Sequence, residues 1–171
     1  MPEVTENSFA QPTAGPAHAA PHPNPSTERA ESLPDGTVEF GLHTFGDVTH
    51  SLDGRPLDHP EVLRNLVAEG VLADQSGVDV LGIGEHHRPD YSVSSPEMVL
   101  SAIAGRTEHL KLISAVTVLS SDDPVRVYQR FATLDAVSNG RAEVILGRGS
   151  FTESFPLFGL EIGRASCRER V

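Results

Sequence analysis

The sequence predicts a parallel α/β fold in which four short strands alternate with amphipathic helices. Four apolar segments, rich in Val, Ile and Leu, begin at residues 38, 78, 110 and 142. These starts lie 40, 32 and 32 residues apart, and helical patterns occupy the stretches between them. Strands that alternate with helices at this spacing indicate consecutive βαβ units and therefore a parallel sheet.

The first unit is predicted to begin with a strand at residues 38–43, which runs into a turn containing Gly46 and Asp47. After a second turn at residues 53–56 comes a helical pattern that ends at Gly77. The apolar residues of this helix are expected to share one side, which carries Val62, Leu66, Leu72 and Ala73.

A second strand is predicted at residues 78–84, and the two helices after it start with the same signal. Ser95 and Asp123 stand as N-caps, each before a proline at the first helical position, where its missing N–H is not needed. The third helix ends at Asn139-Gly140. The remaining strands are predicted at residues 110–119 and 142–146.

Four units are too few to close a barrel of eight, which takes about 250 residues. They could form an open doubly wound sheet, but the first strand-to-helix loop lacks the Gly-x-Gly-x-x-Gly pattern that often marks that fold. Residues 156–159 also look like the start of a long excursion and not like a domain end. We therefore predict an α/β fold that is a TIM (β/α)8 barrel truncated to about its first four β/α units.

Two flanking segments are excluded from that fold, so that the barrel half covers residues 38–161. Residues 1–37 hold seven of the thirteen prolines and lack apolar periodicity, which predicts a disordered Pro-rich arm. A start codon assigned too far upstream would explain this arm equally well. Residues 162–171 match the in-frame translation of a common sequencing adapter, so we expect this tail, which holds Cys167, to be an artefact.

The composition argues against several classes of function. The chain has 13 basic and 24 acidic residues, and its net charge of −11 argues against binding to nucleic acid. No apolar run approaches the roughly 18 residues that a membrane-spanning helix needs. A single cysteine cannot form an internal disulfide, so an oxidising compartment has no support and we expect a cytoplasmic protein.

Candidate catalytic residues lie where the predicted strands end, which is the active-site edge of parallel α/β folds. The second strand runs into Glu85, His86 and His87, and two imidazoles beside a carboxylate can bind a transition metal. Adjacent side chains of an extended strand point to opposite faces, however, so these histidines would not converge on one ion. A single histidine there suits proton transfer, and a histidine that only bonds a neighbouring loop is a third interpretation. A metal-dependent TIM-barrel hydrolase that uses Glu85, His86 and Asp90 is therefore an alternative.

Arg148 stands between Gly147 and Gly149, directly after the fourth strand. Glycines let the backbone approach an anion, and a guanidinium group offers two parallel hydrogen bonds to a phosphate. A solvated or salt-bridged arginine is the alternative interpretation. His43 and Thr44, at the end of the first strand, either line the same pocket or serve packing and turn hydrogen bonds.

Six stretches together resemble the family of luciferase-like, flavin-dependent monooxygenases. No stretch is specific alone, but their order and spacing over about 120 residues make a specific match. The matching stretches are residues 84–87, 95–98, 114–119, 123–126, 138–142 and 147–159.

The resemblance implies a TIM barrel that binds reduced flavin at the ends of its strands. His86 matches the active-site histidine of the family, a candidate general base or stabiliser of an oxygen intermediate. The Ala115–Val116 bond matches a non-proline cis peptide that shapes the flavin seat, and Arg148 with Gly149 matches the segment that meets the flavin phosphate. The reactive cysteine that the family carries before this arginine is Gly147 here, so thiol chemistry is not expected at that position.

The resemblance thus implies a monooxygenase that uses reduced FMN and O2 on a small organic substrate, without a metal. It also implies a homodimer for the intact protein and a separate flavin reductase as partner. A deazaflavin-dependent oxidoreductase that transfers hydride is an alternative within the family. A further alternative is an inactive truncated fragment, because half a barrel exposes its sheet edges.

Overall fold

The computed structural model of the chain describes residues 38–160. The predicted Pro-rich arm at residues 1–37 and the predicted adapter-derived tail at residues 162–171 lie outside the described residues. Strands and helices alternate along the described part of the chain, in the order β1 (Gly41–Thr44), α1 (His59–Gln75), β2 (Val80–Ile83), α2 (Pro96–Ala104), β3 (Lys111–Val118), α3 (Pro124–Ser138), β4 (Ala142–Gly147) and α4 (Ser154–Leu157). A single turn of 3-10 helix, Leu119–Ser121, separates β3 from α3. The predicted elements are confirmed, with strand ends shifted by at most three residues.

The four strands are parallel neighbours in chain order, β1-β2-β3-β4. A doubly wound sheet would instead reverse its strand order at a switch point. The helices follow one another in the same way, because α1 packs against α2 and α2 packs against α3. This topology confirms the barrel prediction: the described residues form four consecutive units of a TIM barrel.

The hydrophobic core lies between the sheet and its helices. Leu81 and Ile83 of β2 and Leu112 of β3 are at most 4% exposed, and they pack against Leu100 and Ile103 of α2, which are fully buried. Alternate residues of a strand point to opposite faces, so the remaining strand residues point to the other side of the sheet. That side lines the interior of the barrel.

The buried side of α1 differs from the prediction at one residue. Leu72 is 61% exposed, and the buried positions are Val62, Leu66, Gly70 and Ala73. Gly70 allows α2 to come close on this side, since a Cβ there would fall 2.7 Å from Cδ1 of Ile103. The predicted apolar set included Leu72, which is one residue away from the helical spacing that Val62 and Leu66 define.

The predicted helix ends are confirmed, although one capping bond is missing. The Asp123 carboxylate accepts hydrogen bonds from the backbone N–H groups of Val125 and Arg126, as an N-cap does. Ser95 occupies the N-cap position of α2, but its side chain makes no capping hydrogen bond. Asn139 ends α3 in the left-handed conformation, with φ of 59°.

The helices of the described part of the chain are short or amphipathic. The longest, α1, has 17 residues. Within residues 38–160, no helix combines the length and apolar character needed to cross a membrane.

Candidate active site at the carboxyl ends of the strands

His86 follows β2 and is enclosed by aromatic rings from three loops. Its imidazole stacks on Tyr91 with ring centroids 4.3 Å apart. Phe45 and Phe151 pack edge-to-face with it, with ring centroids 4.9 and 5.3 Å from that of the imidazole. Only 9% of the side chain is exposed. The backbone N–H of His86 donates to the carbonyl of Val93, which fixes this part of the chain beside the strand end.

The charges around His86 come from all three loops. Glu153 comes nearest, with its Oε1 atom 3.9 Å from Nδ1 of His86. Burial lowers the pKa of His86, and the charges of Glu153, Asp47 and Asp90 oppose this shift while Arg88 reinforces it. Because the lowered pKa keeps the imidazole neutral near pH 7, His86 is able to accept a proton.

His87 points away from His86, as the strand geometry predicts. Its Nε2 atom lies 2.9 Å from Oε1 of Glu85, and its ring contacts Phe158 edge-on. The other oxygen of Glu85 accepts a 2.9 Å hydrogen bond from the backbone N–H of Val118, at the end of β3. Glu85 therefore joins the loop after β2 to the end of β3.

The structure does not bring together the residues proposed for a metal site. Glu85 is hydrogen-bonded to His87 and Val118, and the Asp90 carboxylate accepts two hydrogen bonds of 2.9 and 2.8 Å from the Arg88 guanidinium. His86 is held between aromatic rings on a different side. No group of three or more His, Cys, Asp or Glu side chains within residues 38–160 is arranged to hold a metal ion. The hydrolase alternative has no ligand set in this part of the chain.

The Ala115–Val116 peptide bond is cis, at the position that the resemblance implies. The pairing of β3 with β4 shifts at the same place. Ala115 pairs with Ile145 and Thr117 with Leu146, so that Val116 is an extra residue in β3. Such a bulge bends a strand and re-aims its side chains.

His43 reaches across β2 to this segment. Its Nε2 atom lies 2.8 Å from the carbonyl oxygen of Ala115, and because a carbonyl only accepts, Nε2 carries the proton. Gly82 of β2 leaves room for this contact, since a Cβ there would fall 3.1 Å from the His43 ring. Thr44 makes a turn hydrogen bond, in which its hydroxyl oxygen accepts from the N–H of Gly46. Of the two residues, only His43 lies on the interior face.

Arg148 follows β4 and its side chain is exposed. Its guanidinium makes no hydrogen bond and no ion pair with any residue from 38 to 160, whereas its carbonyl accepts from the hydroxyl of Ser120 at 2.9 Å. Gly149 has φ of +81°, a conformation that favours glycine, and a Cβ there would fall 3.1 Å from Val118. The loops after β3 and β4 are thus in close contact, and the Arg148 side chain lies exposed beside them.

The strand order brings the predicted residues to one edge of the sheet. His86 follows β2, the Ala115–Val116 bond lies in β3 and Arg148 follows β4. Sequence reasoning missed the residues that surround His86, which are Phe45, Tyr91, Phe151 and Glu153. Phe45 and Phe151 follow the ends of β1 and β4 by at most four residues, and that signal could have identified them, whereas Tyr91 lies eight residues after β2. Nothing in the sequence marks Glu153, because its contact depends on the path of the loop.

Known proteins that are similar to this chain include several oxygenases. The chain is 35% identical over 105 residues to the uncharacterised protein y4vJ of Sinorhizobium fredii, which covers 61% of this chain and 30% of that protein. It is 28% identical over 122 residues to the alkanal monooxygenase alpha chain of the Kryptophanaron alfredi symbiont, and the aligned part is 71% of this chain and 34% of that protein. It is 27% identical over 82 residues to the oxygenase component of a flavin-dependent trigonelline monooxygenase from Acinetobacter baylyi, and the aligned part is 47% of this chain and 23% of that protein. The chain thus spans about a third or less of the length of these relatives.

Solved structures share the fold over a similar range. One is a type II Baeyer-Villiger monooxygenase from Pseudomonas putida in complex with FMN, with TM-score 0.62, 22% identity, and coverage of 72% of this chain and 33% of that one. Another is the coenzyme F420 dependent tetrahydromethanopterin reductase from Methanopyrus kandleri, with TM-score 0.55, 25% identity, and coverage of 72% and 30%. The family model described as luciferase-like monooxygenase matches residues 38–170. The chain therefore belongs to the luciferase-like monooxygenase family.

Proposed function

We propose that the full-length protein is a flavin-dependent monooxygenase that uses reduced FMN and O2 to oxygenate a small organic substrate. One observation carries this proposal. The buried His86 follows β2 and the exposed Arg148 follows β4, on either side of the bulged segment of β3. The guanidinium of Arg148 has no partner in residues 38–160. These are the groups that proton transfer and phosphate binding require.

The residues present fit an FMN molecule at this edge of the sheet. Arg148 would hold the phosphate, because its guanidinium is exposed and Gly149 next to it keeps the backbone accessible. Ala115 and Val116 are half-buried and apolar, and they would form the wall on which a flat ring system rests. Gly147 keeps this wall free of a further side chain.

His86 would hold and move the proton. Its neutral imidazole is shielded from water by Phe45, Tyr91 and Phe151, which limits proton exchange with bulk solvent. The chemistry that a bound reduced flavin supplies is the activation of O2 and the transfer of one oxygen atom to the substrate. The protein residues supply binding, orientation and the proton acceptor.

Two partners belong to the proposal. A separate flavin reductase would supply the reduced cofactor, as suggested by the relative whose name describes an oxygenase component. A homodimer of the full-length protein is proposed from the family resemblance. A cytoplasmic location stays a prediction of the sequence.

A flavin titration tests the proposal. The full-length protein is mixed anaerobically with reduced FMN, and binding is followed by absorbance before and after O2 is added. We expect saturable binding and a spectral change that requires O2 and the protein. The absence of any affinity for FMN would contradict the proposal.

A parallel titration with reduced coenzyme F420 tests the second candidate function, hydride transfer from a deazaflavin. The structural similarity to the F420 dependent reductase supports this candidate. Saturable binding of F420 without binding of FMN would favour hydride transfer over oxygenation.

A further inference from the structure

Glu153 is the only carboxylate of residues 38–160 that lies within ion-pair distance of His86. Its Oε1 atom is 3.9 Å from Nδ1, and its side chain is 22% exposed. It lies five residues after Arg148, on the connection between β4 and α4. The same connection therefore carries the proposed phosphate ligand and a charge next to the proposed proton acceptor.

The surroundings of His86 leave few other groups to stabilise a charged imidazole. Tyr91 covers one face of the ring, while Phe45 and Phe151 contact it with their edges. Neither ring nitrogen makes a hydrogen bond to another residue in the part of the chain that the structure describes. An imidazolium in such an apolar surrounding is costly unless an opposite charge is close by.

The other charges near His86 are less well placed than Glu153. Asp90 is bonded to Arg88 through both of its oxygens, so these two charges largely cancel. Asp47, in the loop after β1, acts on His86 through space and lies beyond ion-pair distance. Of the charges that face His86, Glu153 has the largest effect.

We propose that Glu153 is a positioning residue for His86, whose carboxylate stabilises the imidazolium that forms when His86 accepts a proton. This inference rests on the proposed function, in which His86 takes up the proton. Proton uptake leaves both ring nitrogens protonated, with Nδ1–H on the side of the Glu153 carboxylate. Loss of the proton restores the neutral ring.

A histidine titration by NMR tests this inference without any flavin. The full-length protein is labelled at its histidine rings, and the His86 signal is assigned by its absence in His86→Gln. We expect Glu153→Gln to lower the pKa of His86 by about one unit, because an opposite charge within about 4–6 Å favours the charged form. Glu153→Asp keeps the charge and should stay closer to the wild type.

Glu108→Gln is the matched control, because it removes the same charge at the opposite end of β3. Glu108 lies before β3, at the amino ends of the strands. We expect the pKa of His86 to be unchanged in this variant. An unchanged pKa of His86 in Glu153→Gln would overturn the inference, as would equal shifts in Glu153→Gln and Glu108→Gln.

A pH profile of the reaction links the pair to activity. The pH dependence of the O2-dependent spectral change should shift in Glu153→Gln by the same amount as the NMR titration. If the NMR shift occurs but the protein binds no flavin, the proposed function fails and the inference stands. If flavin binds normally and the pKa of His86 does not move, the inference fails and the proposed function stands.

Discussion

Replacement of Gly147 by alanine tests how β3 and β4 fit together beside the proposed flavin seat. A Cβ at Gly147 would lie 2.7 Å from Cγ2, 3.1 Å from Cβ and 3.2 Å from Cγ1 of Val116. The backbone of Gly147 is outside the left-handed region, so alanine meets a clash there but no backbone strain. The effect of this substitution therefore measures the contact with Val116.

The expected magnitude follows from two opposing terms. Overpacking of a well-filled site costs about 1–3 kcal/mol, and alanine in place of glycine recovers about 0.4–1 kcal/mol by restricting the unfolded chain. Gly147→Ala should therefore lower the free energy of unfolding by about 1–2 kcal/mol. Urea unfolding of the full-length protein, followed by circular dichroism at neutral pH, measures this difference.

A double-mutant cycle with Val116→Ala isolates the contact. This substitution removes both Cγ atoms and leaves only Cβ, 3.1 Å away, which a small shift can relieve. In the Val116→Ala background, Gly147→Ala should cost less than about 0.5 kcal/mol. Gly105→Ala serves as the matched control, because its nearest neighbour would be the Ser101 carbonyl at 3.9 Å. An equal cost of Gly147→Ala in both backgrounds would refute the reasoning.

Three further substitutions test other parts of the structure. Arg141→Met should lower the free energy of unfolding by about 3–5 kcal/mol, as measured by urea unfolding, because it leaves buried acceptors unpaired. The control Arg126→Met changes an exposed arginine and should cost less than about 0.5 kcal/mol. The acceptors lost by Arg141 are the carbonyls of Ala104, Thr107, Leu110 and Ser138 and the Thr107 hydroxyl. Arg148→Ala should weaken binding of FMN by about 10–100-fold and leave riboflavin, which has no phosphate, unaffected in a fluorescence titration. Burial raises the pKa of Asp74, but three backbone N–H groups outweigh it and hold that pKa below its usual value. The stability advantage of the wild type over Asp74→Asn should therefore be present at neutral pH and disappear as the pH falls below about 4, as measured by thermal unfolding.

The order of strands and helices could be predicted because its signals are local. The N-cap positions Ser95 and Asp123, each followed by a proline, and the stop at Asn139-Gly140 act within one helical turn of the residues concerned. Gly70 shows the limit of such signals. Its burial depends on how closely α2 approaches, and that distance is not encoded in the apolar pattern of α1 alone.

The sequence alone predicted His86 and Arg148 at one edge of the sheet, because parallel strands carry their carboxyl ends to the same side, and the family resemblance added the Ala115–Val116 bond. Only the tertiary structure decided what surrounds them. The contact of His86 with Phe151 and its ion-pair distance to Glu153 join loops that lie some 65 residues apart in the chain. Such contacts depend on strand register and on the path of each loop. Both are set by packing over the whole sheet, which a local pattern does not contain.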